Sequence, residues 1–161
     1  MAKYCRLYVA KCKTPGKFYV GTTTRLPYER YEEHMSGRPH GSYWTANHGF
    51  EGFLICELID PSHANQLETD MTKYMMSMYG WANVRGGAHT YAKDDHEYWW
   101  LPPEFRNASA ADILKLRLGT VSKFPAELRR LVDCLLRVGS LEHANHLDSQ
   151  PFSELFLRQI A

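Results

Sequence analysis

A four-residue turn between two alternating stretches constrains this chain more than any other feature. Residues 5–12 and 17–22 each alternate well enough for a short β-strand, and Lys-Thr-Pro-Gly at 13–16 lies between them. Proline presets the φ angle of one turn residue and glycine permits positive φ, so the sequence predicts a β-hairpin with a four-residue loop.

The expected hairpin register brings two tyrosines together. If residue 12 faces residue 17, Ala10 faces Tyr19. Tyr8 then points to the same face, because side chains alternate along a strand. Tyr8 and Tyr19 become diagonal neighbours with α-carbons about 7–8 Å apart. Two phenol hydroxyls are therefore expected close together on one face of the hairpin.

A helix is predicted directly after the hairpin, because Pro27 suits a first helical turn. Helical spacing predicts that three of its residues face the core: Tyr28, Tyr31 and Met35. Arg30 and His34 are four residues apart and share a second stripe of the same helix. A guanidinium and an imidazole at that spacing can converge on a phosphate.

A third strand and a longer helix follow. Residues 53–59 form an apolar run of strand length, and Ser62 is the expected N-cap of the next helix. The apolar stripe of that helix contains six residues: Ala64, Leu67, Met71, Tyr74, Met75 and Met78. Glu68 borders the stripe and is expected to be partly buried. A partly buried carboxylate costs free energy unless a cation or a metal ion pairs with it.

Five elements occur in the order and at the spacing of one known family: Arg-Leu-Tyr at 6–8, Tyr-Val-Gly at 19–21, Arg30 with His34, Glu68, and Asn83. Together they resemble the signature of the GIY-YIG nuclease superfamily, over residues 4–90. The first triplet departs from the family pattern, with Arg6 and Leu7 where the family has Gly and Ile. The resemblance implies an α+β fold, with a small antiparallel three-stranded sheet flanked by helices.

The same resemblance implies a catalytic site made of Tyr8, Tyr19, Arg30, His34 and Glu68. Arg30 would supply a fixed cation with a forked donor geometry. Glu68 would bind Mg²⁺ or Mn²⁺, with most of the coordination left to water and phosphate. One tyrosine would position or deprotonate the attacking water, and because an unperturbed phenol titrates near pH ~10 it needs a nearby cation. His34 would accept or relay a proton. The residues leave open which tyrosine is the base.

Four further residues are expected to bind the substrate: Arg38, His40, Asn83 and Arg85. Arg38 and His40 lie in the glycine- and proline-containing loop that follows Arg30 and His34. Asn83 is implied by the resemblance. Arg85 precedes two glycines, and such a turn can present backbone N–H groups and a guanidinium to a phosphate.

The composition is typical of a globular protein, with 44% hydrophobic residues in a chain of 161. We expect a nuclease core at 1–93, a boundary segment at 94–103 and a helical appendage at 104–161. The first part holds eleven Lys and Arg against eight Asp and Glu, whereas residues 94–161 hold eight against ten. A phosphate-binding surface is therefore expected in the first part. The appendage would offer a surface for a homodimer or a protein partner.

Targeting signals are not evident in the sequence. It contains no run of about 18 apolar residues, so we expect no transmembrane helix and no membrane partner. The N-terminus has no secretory pattern, and the four cysteines form no Cys-x-x-Cys motif. These features predict a cytoplasmic protein, from a bacterial or phage-infected cell.

Two functions from different classes fit these residues. The leading prediction is a metal-dependent endonuclease that cuts double-stranded DNA, of the phage, homing or restriction type. The alternative is a GIY-YIG-like module that binds nucleic acid or protein with little or no cleavage. The net charge of +1 and the altered first triplet favour the module, while retention of all the expected reactive residues favours the nuclease more strongly.

Overall fold

The computed structural model of the protein describes residues 4–37, 42–87, 103–105, 107–126, 128, 129 and 132. The strands within these residues are β1 (Cys5–Cys12), β2 (Phe18–Thr23), β3 (Phe50–Ile59) and β4 (Val84–Gly86). The α-helices are α1 (Pro27–Ser36), α2 (Tyr43–His48), α3 (Ala64–Tyr79) and α4 (Ala110–Val121). Short 3₁₀ turns span Pro61–His63, Trp81–Asn83 and Pro103–Phe105. None of the helices in the described part of the chain is long and apolar enough to cross a membrane.

The sheet has four strands in the order β3-β1-β2-β4. Strand β1 pairs antiparallel with β2 and with β3, whereas β4 runs parallel to β2. The predicted α+β class is confirmed, but the predicted three-stranded antiparallel sheet is wrong, because the sheet is four-stranded and mixed. Strand β4 has only three residues, one of them a glycine. Such a strand is too short to be recognised from an alternating pattern.

The hairpin register agrees with the prediction. Ala10 lies opposite Tyr19, and Tyr8 lies opposite Gly21. The rings of Tyr8 and Tyr19 are diagonal neighbours with centroids 6.3 Å apart. The backbone N–H of Cys12 donates to the Lys17 carbonyl at 3.0 Å and closes the turn. The two central strands, β1 and β2, therefore place both phenols on one face of the sheet.

Helix α1 is rotated relative to the prediction. None of the three residues predicted to face the core is buried: Tyr28 is 62%, Tyr31 39% and Met35 52% exposed. His34 is the buried residue of this helix, at 2% exposure, and Arg30 is half-buried beside it. The polar stripe faces inward because the two ring nitrogens of His34 find hydrogen-bond partners on β1 (Tyr8) and on α2 (Thr45).

Helix α3 packs against β1, β2 and β4. The rings of Phe18 and Tyr79 pack at a tilt of 36° with centroids 4.5 Å apart, which fixes the helix to the face of β2 opposite Tyr19. Four residues of the predicted stripe are buried: Leu67, Met71, Tyr74 and Met75. The predicted cap at Ser62 is wrong: the Asp60 side chain accepts from the Ser62 backbone N–H and caps a 3₁₀ turn that precedes the helix.

The chain divides into two compact units, Met1–Lys123 and Phe124–Ala161. Within the first unit, α4 packs against α3, and Arg117 donates to the Ser77 carbonyl at 2.6 Å. Most of the predicted boundary segment and much of the predicted appendage lie outside the described residues. The three-part domain division therefore stays a prediction.

We expect Leu7→Ala to lower the free energy of unfolding by about 2–5 kcal/mol, because Leu7 is fully buried in the central strand β1. Leu58→Ala is the matched control, since Leu58 is 50% exposed on the edge strand β3. Its change should stay within about 0.5 kcal/mol. Urea unfolding followed by circular dichroism measures both. Equal losses in the two variants would contradict this placement of the core.

Candidate functional site

The hydroxyl of Tyr8 connects three of the predicted catalytic residues. His34 Nε2 lies 2.9 Å from the hydroxyl oxygen, and Arg30 Nε donates to the same oxygen at 3.1 Å. Tyr8 has no exposed surface. Strand β1 supplies the phenol, and helix α1 supplies both nitrogen groups. Because Arg30 and His34 are one helical turn apart, their side chains lie on the same side of α1 and both reach this oxygen.

Gly21 makes room for this hydroxyl. A Cβ added at Gly21 would overlap the Tyr8 hydroxyl oxygen and lie 2.5 Å from the ring carbon that carries it. Gly21 is opposite Tyr8 in the β1–β2 register. The glycine that ends the second triplet is therefore required by the ring of the first, which gives a physical reason for finding the two triplets together.

His34 lies in a closed, largely aromatic pocket. Its ring stacks on Phe50 with centroids 4.9 Å apart, and its Nδ1 is 2.9 Å from the Thr45 hydroxyl oxygen. Burial, and then the Arg30 charge, lower the pKa of His34 to about 3. Thr45 was not among the predicted site residues. A signal for it was the capping spacing Ser42-x-x-Thr45, because Ser42 caps α2 and its Oγ lies 2.7 Å from the Thr45 hydroxyl.

The partners assign the direction of these hydrogen bonds. An arginine Nε always donates, so Tyr8 accepts from Arg30 and its own proton is left to donate to His34 Nε2. His34 is neutral and carries its proton on Nδ1, which donates to Thr45, and the Thr45 hydroxyl donates onward to the Ser42 carbonyl at 3.3 Å. Every group in this series of hydrogen bonds then has a partner, and His34 accepts from the phenol.

Both phenols are held in the neutral form. Burial raises the pKa of Tyr8 well above its ordinary value, and the charge interaction with Tyr19 adds to this, while Arg30 opposes it. Burial also raises the pKa of Tyr19, and the Glu68 charge raises it further. Tyr19 is only half-buried, whereas Tyr8 is fully enclosed. Tyr19 is therefore the less enclosed tyrosine of the pair.

Glu68, on helix α3, lies beside the end of β2. Its Oε2 accepts from the Thr22 hydroxyl at 3.0 Å, and its Oε1 accepts from the Gly87 backbone N–H at 3.3 Å. Burial raises the pKa of the carboxyl group, against the lowering effect of these two hydrogen bonds and of Arg30. Neither Thr22 nor Gly87 was predicted. Gly87 has φ +54° and approaches the backbone of Thr69 closely, so a side chain there would collide with α3.

An open cleft of about 350 Å³ lies beside this network. Its lining residues are Cys5, Thr22, Thr23, Thr24, Arg25, Arg30 and Glu33. Glu33 joins two cations in it: its Oε2 accepts from Arg30 at 2.6 Å, and its Oε1 lies 2.9 Å from Arg25 Nε. The spacing Arg30-x-x-Glu33 was a visible signal for this pair. Arg30 is thus held between Tyr8 and Glu33 at the wall of the cleft.

The metal role predicted for Glu68 is compatible with its surroundings. No group of three or more His, Cys, Asp or Glu side chains that could hold a metal occurs among the residues that the structure describes. A single carboxylate fits a magnesium ion that takes most of its ligands from water and phosphate. Each Glu68 oxygen accepts one hydrogen bond above and has a further lone pair, and its half-buried charge favours a cation.

The structure separates two predicted substrate-binding residues from this network. Asn83 caps the end of α3 through the Tyr79 carbonyl at 2.7 Å and accepts from Lys17, at the start of β2. Lys17 is five residues from Thr22, which is roughly 17 Å along a strand. Arg85 has no exposed surface; its guanidinium stacks 4.2 Å from the Trp44 ring centroid and donates to two backbone carbonyls.

A phosphate therefore does not reach Arg85 in this conformation. Arg38 and His40, the other two residues predicted to bind the substrate, lie outside the described residues, and their role stays a prediction.

No protein-family model, curated protein sequence or solved structure matches this chain.

We expect the ring resonances of His34 to remain unchanged from pH 8 down to pH 4, because its pKa is lowered to about 3 by burial. An ordinary histidine titrates near pH ~6.5. As the pH falls, the unfolded chain takes up the proton first, so His34's contribution to the free energy of unfolding is complete above pH ~6.5 and is lost as pH falls toward 3. Two-dimensional NMR of the histidine rings measures this. A His34 midpoint between pH 5 and 7 would contradict the closed pocket.

Proposed function

We propose that this chain is a GIY-YIG-type nuclease, a phosphodiester hydrolase that cuts double-stranded DNA with Mg²⁺ or Mn²⁺ as cofactor. The observation that carries the proposal is the convergence of Arg30 and His34 on the Tyr8 hydroxyl, beside a cleft next to Glu68. Five separated sequence elements resembled that family, and three of its predicted reactive groups meet at one oxygen atom. The site would serve a restriction, homing or phage enzyme equally well.

Arg30 is assigned to the scissile phosphate. Its side chain is 17% exposed, and it lines the cleft while Tyr8 and Glu33 fix two of its nitrogens. A guanidinium held in one orientation stabilises negative charge on nonbridging oxygens without reorganising during the reaction. Tyr8 and Glu33 also hold the pKa of Arg30 above its ordinary value despite the opposing effect of its burial, so the charge persists.

Tyr19 is assigned to the attacking water, because it is the less buried tyrosine of the pair. Glu68 would hold the divalent cation, which supplies positive charge beside the phosphate and makes nearby water more acidic. Because burial and Glu68 raise the pKa of Tyr19, the phenol by itself orients a water molecule and does not remove its proton at neutral pH. Neutralisation of the Glu68 charge by a cation would lower the pKa of Tyr19 again by the part that this charge contributes.

The second candidate is a binding module that does not cut. The observation that favours it is that the pKa of both phenols is raised, which leaves neither of them a ready base. A module of this kind would bind duplex DNA weakly, because the net charge of the chain is only +1. Cleavage of supercoiled plasmid with and without Mg²⁺ separates the two functions.

We expect Glu68→Gln to lower the rate of Mg²⁺-dependent plasmid cleavage by roughly a hundredfold or more, because the charge beside the phosphate is lost. DNA affinity should be retained, and the fold should persist because the amide oxygen can still accept from the Gly87 backbone N–H while the amide NH₂ donates to the Thr22 hydroxyl. Glu57→Gln, a half-buried glutamate on β3, is the matched control with wild-type cleavage. Cleavage at the wild-type rate by Glu68→Gln would exclude Glu68 as the metal ligand.

We expect the two tyrosines to differ when each is changed to phenylalanine. Tyr8→Phe leaves Arg30 Nε and His34 Nε2 without a shared partner, so it should lose about 1–3 kcal/mol of unfolding free energy together with cleavage. Tyr19→Phe should lose cleavage rate at little cost in stability. Urea unfolding and single-turnover cleavage measure the two effects. A stable and active Tyr8→Phe variant would show that Tyr8 has only a packing role.

A further inference from the structure

The cleft contains a carboxylate held between two guanidinium groups. Glu33 Oε2 accepts from Arg30 at 2.6 Å, and Glu33 Oε1 lies 2.9 Å from Arg25 Nε. All three side chains line the same cleft, together with Thr22, Thr23 and Thr24. Two guanidinium groups that share one anionic group form the donor arrangement that also binds a phosphate.

The two contacts of Glu33 differ in strength. The bond from Arg30 to Glu33 is short and well aligned, whereas Glu33 Oε1 accepts no aligned hydrogen bond from any described residue, although that oxygen is buried. Its contact with Arg25 is an ion pair in which the Arg25 side chain is 64% exposed. An exposed ion pair of this kind contributes little free energy, so the Arg25 side of the arrangement opens readily.

We infer that Arg25 and Arg30 form a phosphate seat, and that the Glu33 carboxylate occupies this seat in the substrate-free protein. A DNA phosphate then displaces Glu33 from Arg25 and takes up the donors that face the cleft. The inference rests on the proposed function for its choice of ligand, a phosphodiester. It adds Arg25 to the substrate-binding residues and makes Glu33 a competitor for the substrate.

The charges around the cleft support this assignment. Helix α1 carries three glutamates, which would together repel a duplex. Glu29 is used to cap the helix through the Leu26 N–H, and Glu32 is exposed on another side of the helix. Glu33 is the one of the three that lines the cleft. Its charge cancels that of one arginine, and this lowers the attraction of the cleft for anions until Glu33 is displaced.

The test compares Glu33→Gln with Glu32→Gln. Both variants remove one negative charge from adjacent positions of α1, but only the first removes it from between the two arginines. Binding to a short DNA duplex is measured by fluorescence anisotropy without divalent metal, at several salt concentrations. We expect Glu33→Gln to bind roughly two- to fivefold more tightly than wild type at 0.1 M salt. Its slope of log K against log salt should be steeper by about 0.9. Glu32→Gln should change neither quantity to the same extent.

Arg25→Ala completes the comparison. In the Glu33→Gln background, Arg25→Ala should remove the gain in DNA affinity and the added salt slope, because one of the two guanidinium groups of the seat is gone. Equal gains in Glu33→Gln and Glu32→Gln would overturn the inference, since a general charge effect would then suffice. Unchanged affinity with slower cleavage in Glu33→Gln would also overturn it, because Glu33 would then be a positioning residue for Arg30.

A second measurement separates this inference from the nuclease proposal. Inorganic phosphate is titrated against the protein while the Nε–H resonances of Arg25 and Arg30 are followed by NMR. Shifts in both resonances, larger in Glu33→Gln than in wild type, support the seat even if no Mg²⁺-dependent cleavage occurs. Absence of any phosphate-dependent shift in the Glu33→Gln variant overturns the seat while leaving the nuclease proposal to the cleavage assay.

Discussion

The fully buried hydroxyl of Tyr8 is the constraint on which this structure depends. A phenol enclosed in the central strand must hydrogen-bond, because an unsatisfied hydroxyl in the interior costs about 1–3 kcal/mol. Arg30 and His34 both satisfy it, so α1 must turn its polar stripe toward the sheet, which leaves Tyr28 and Met35 exposed. Gly21 is fixed by the same ring, since a side chain there would occupy the place of the hydroxyl. The glycine in β2, the orientation of α1 and the geometry of the site thus have one common cause.

Burial pushes most of the titratable groups around Tyr8 toward the neutral form. It raises the pKa of Tyr8, of Tyr19 and of Glu68, and it lowers the pKa of His34 to about 3. Arg30 differs, because Tyr8 and Glu33 offset the effect of burial on its pKa and keep the guanidinium charged. A network with one oriented cation is short of positive charge for a phosphodiester transition state. The missing charge is the contribution that a divalent ion at Glu68 would make, which links the electrostatics of the free site to the cofactor in our proposal.

Local backbone chemistry could be predicted from the sequence, and the orientation of elements could not. The turn residues set the register that places Ala10 opposite Tyr19, because turn geometry and alternation are local. The rotation of α1 was predicted wrongly: Tyr28 and Met35 have the spacing of a core stripe, but the side-chain partners that decide the rotation come from β1 and α2. Strand β4 escaped prediction because its three residues are defined by pairing with β2. For the site, the residues at the Tyr8 hydroxyl were predicted. Thr45 had a local signal in its capping spacing from Ser42, but its contact with His34 depends on how α1 and α2 pack, which no local pattern gives.

The way this chain uses its cations favours chemistry over simple binding in our interpretation. A surface that only binds a duplex works best with many exposed positive groups, because affinity follows the number of phosphates neutralised. Here Glu33 contacts both Arg25 and Arg30, and Lys11 lies 3.5 Å from Glu51. Such pairing lowers general affinity for a polyanion. Orientation of a single guanidinium by two partners has the opposite effect on a reaction, since a fixed donor acts most strongly where charge develops. In this interpretation, a weakly charged protein that orients one half-buried arginine so closely is better suited to act on a single phosphate than to coat a duplex.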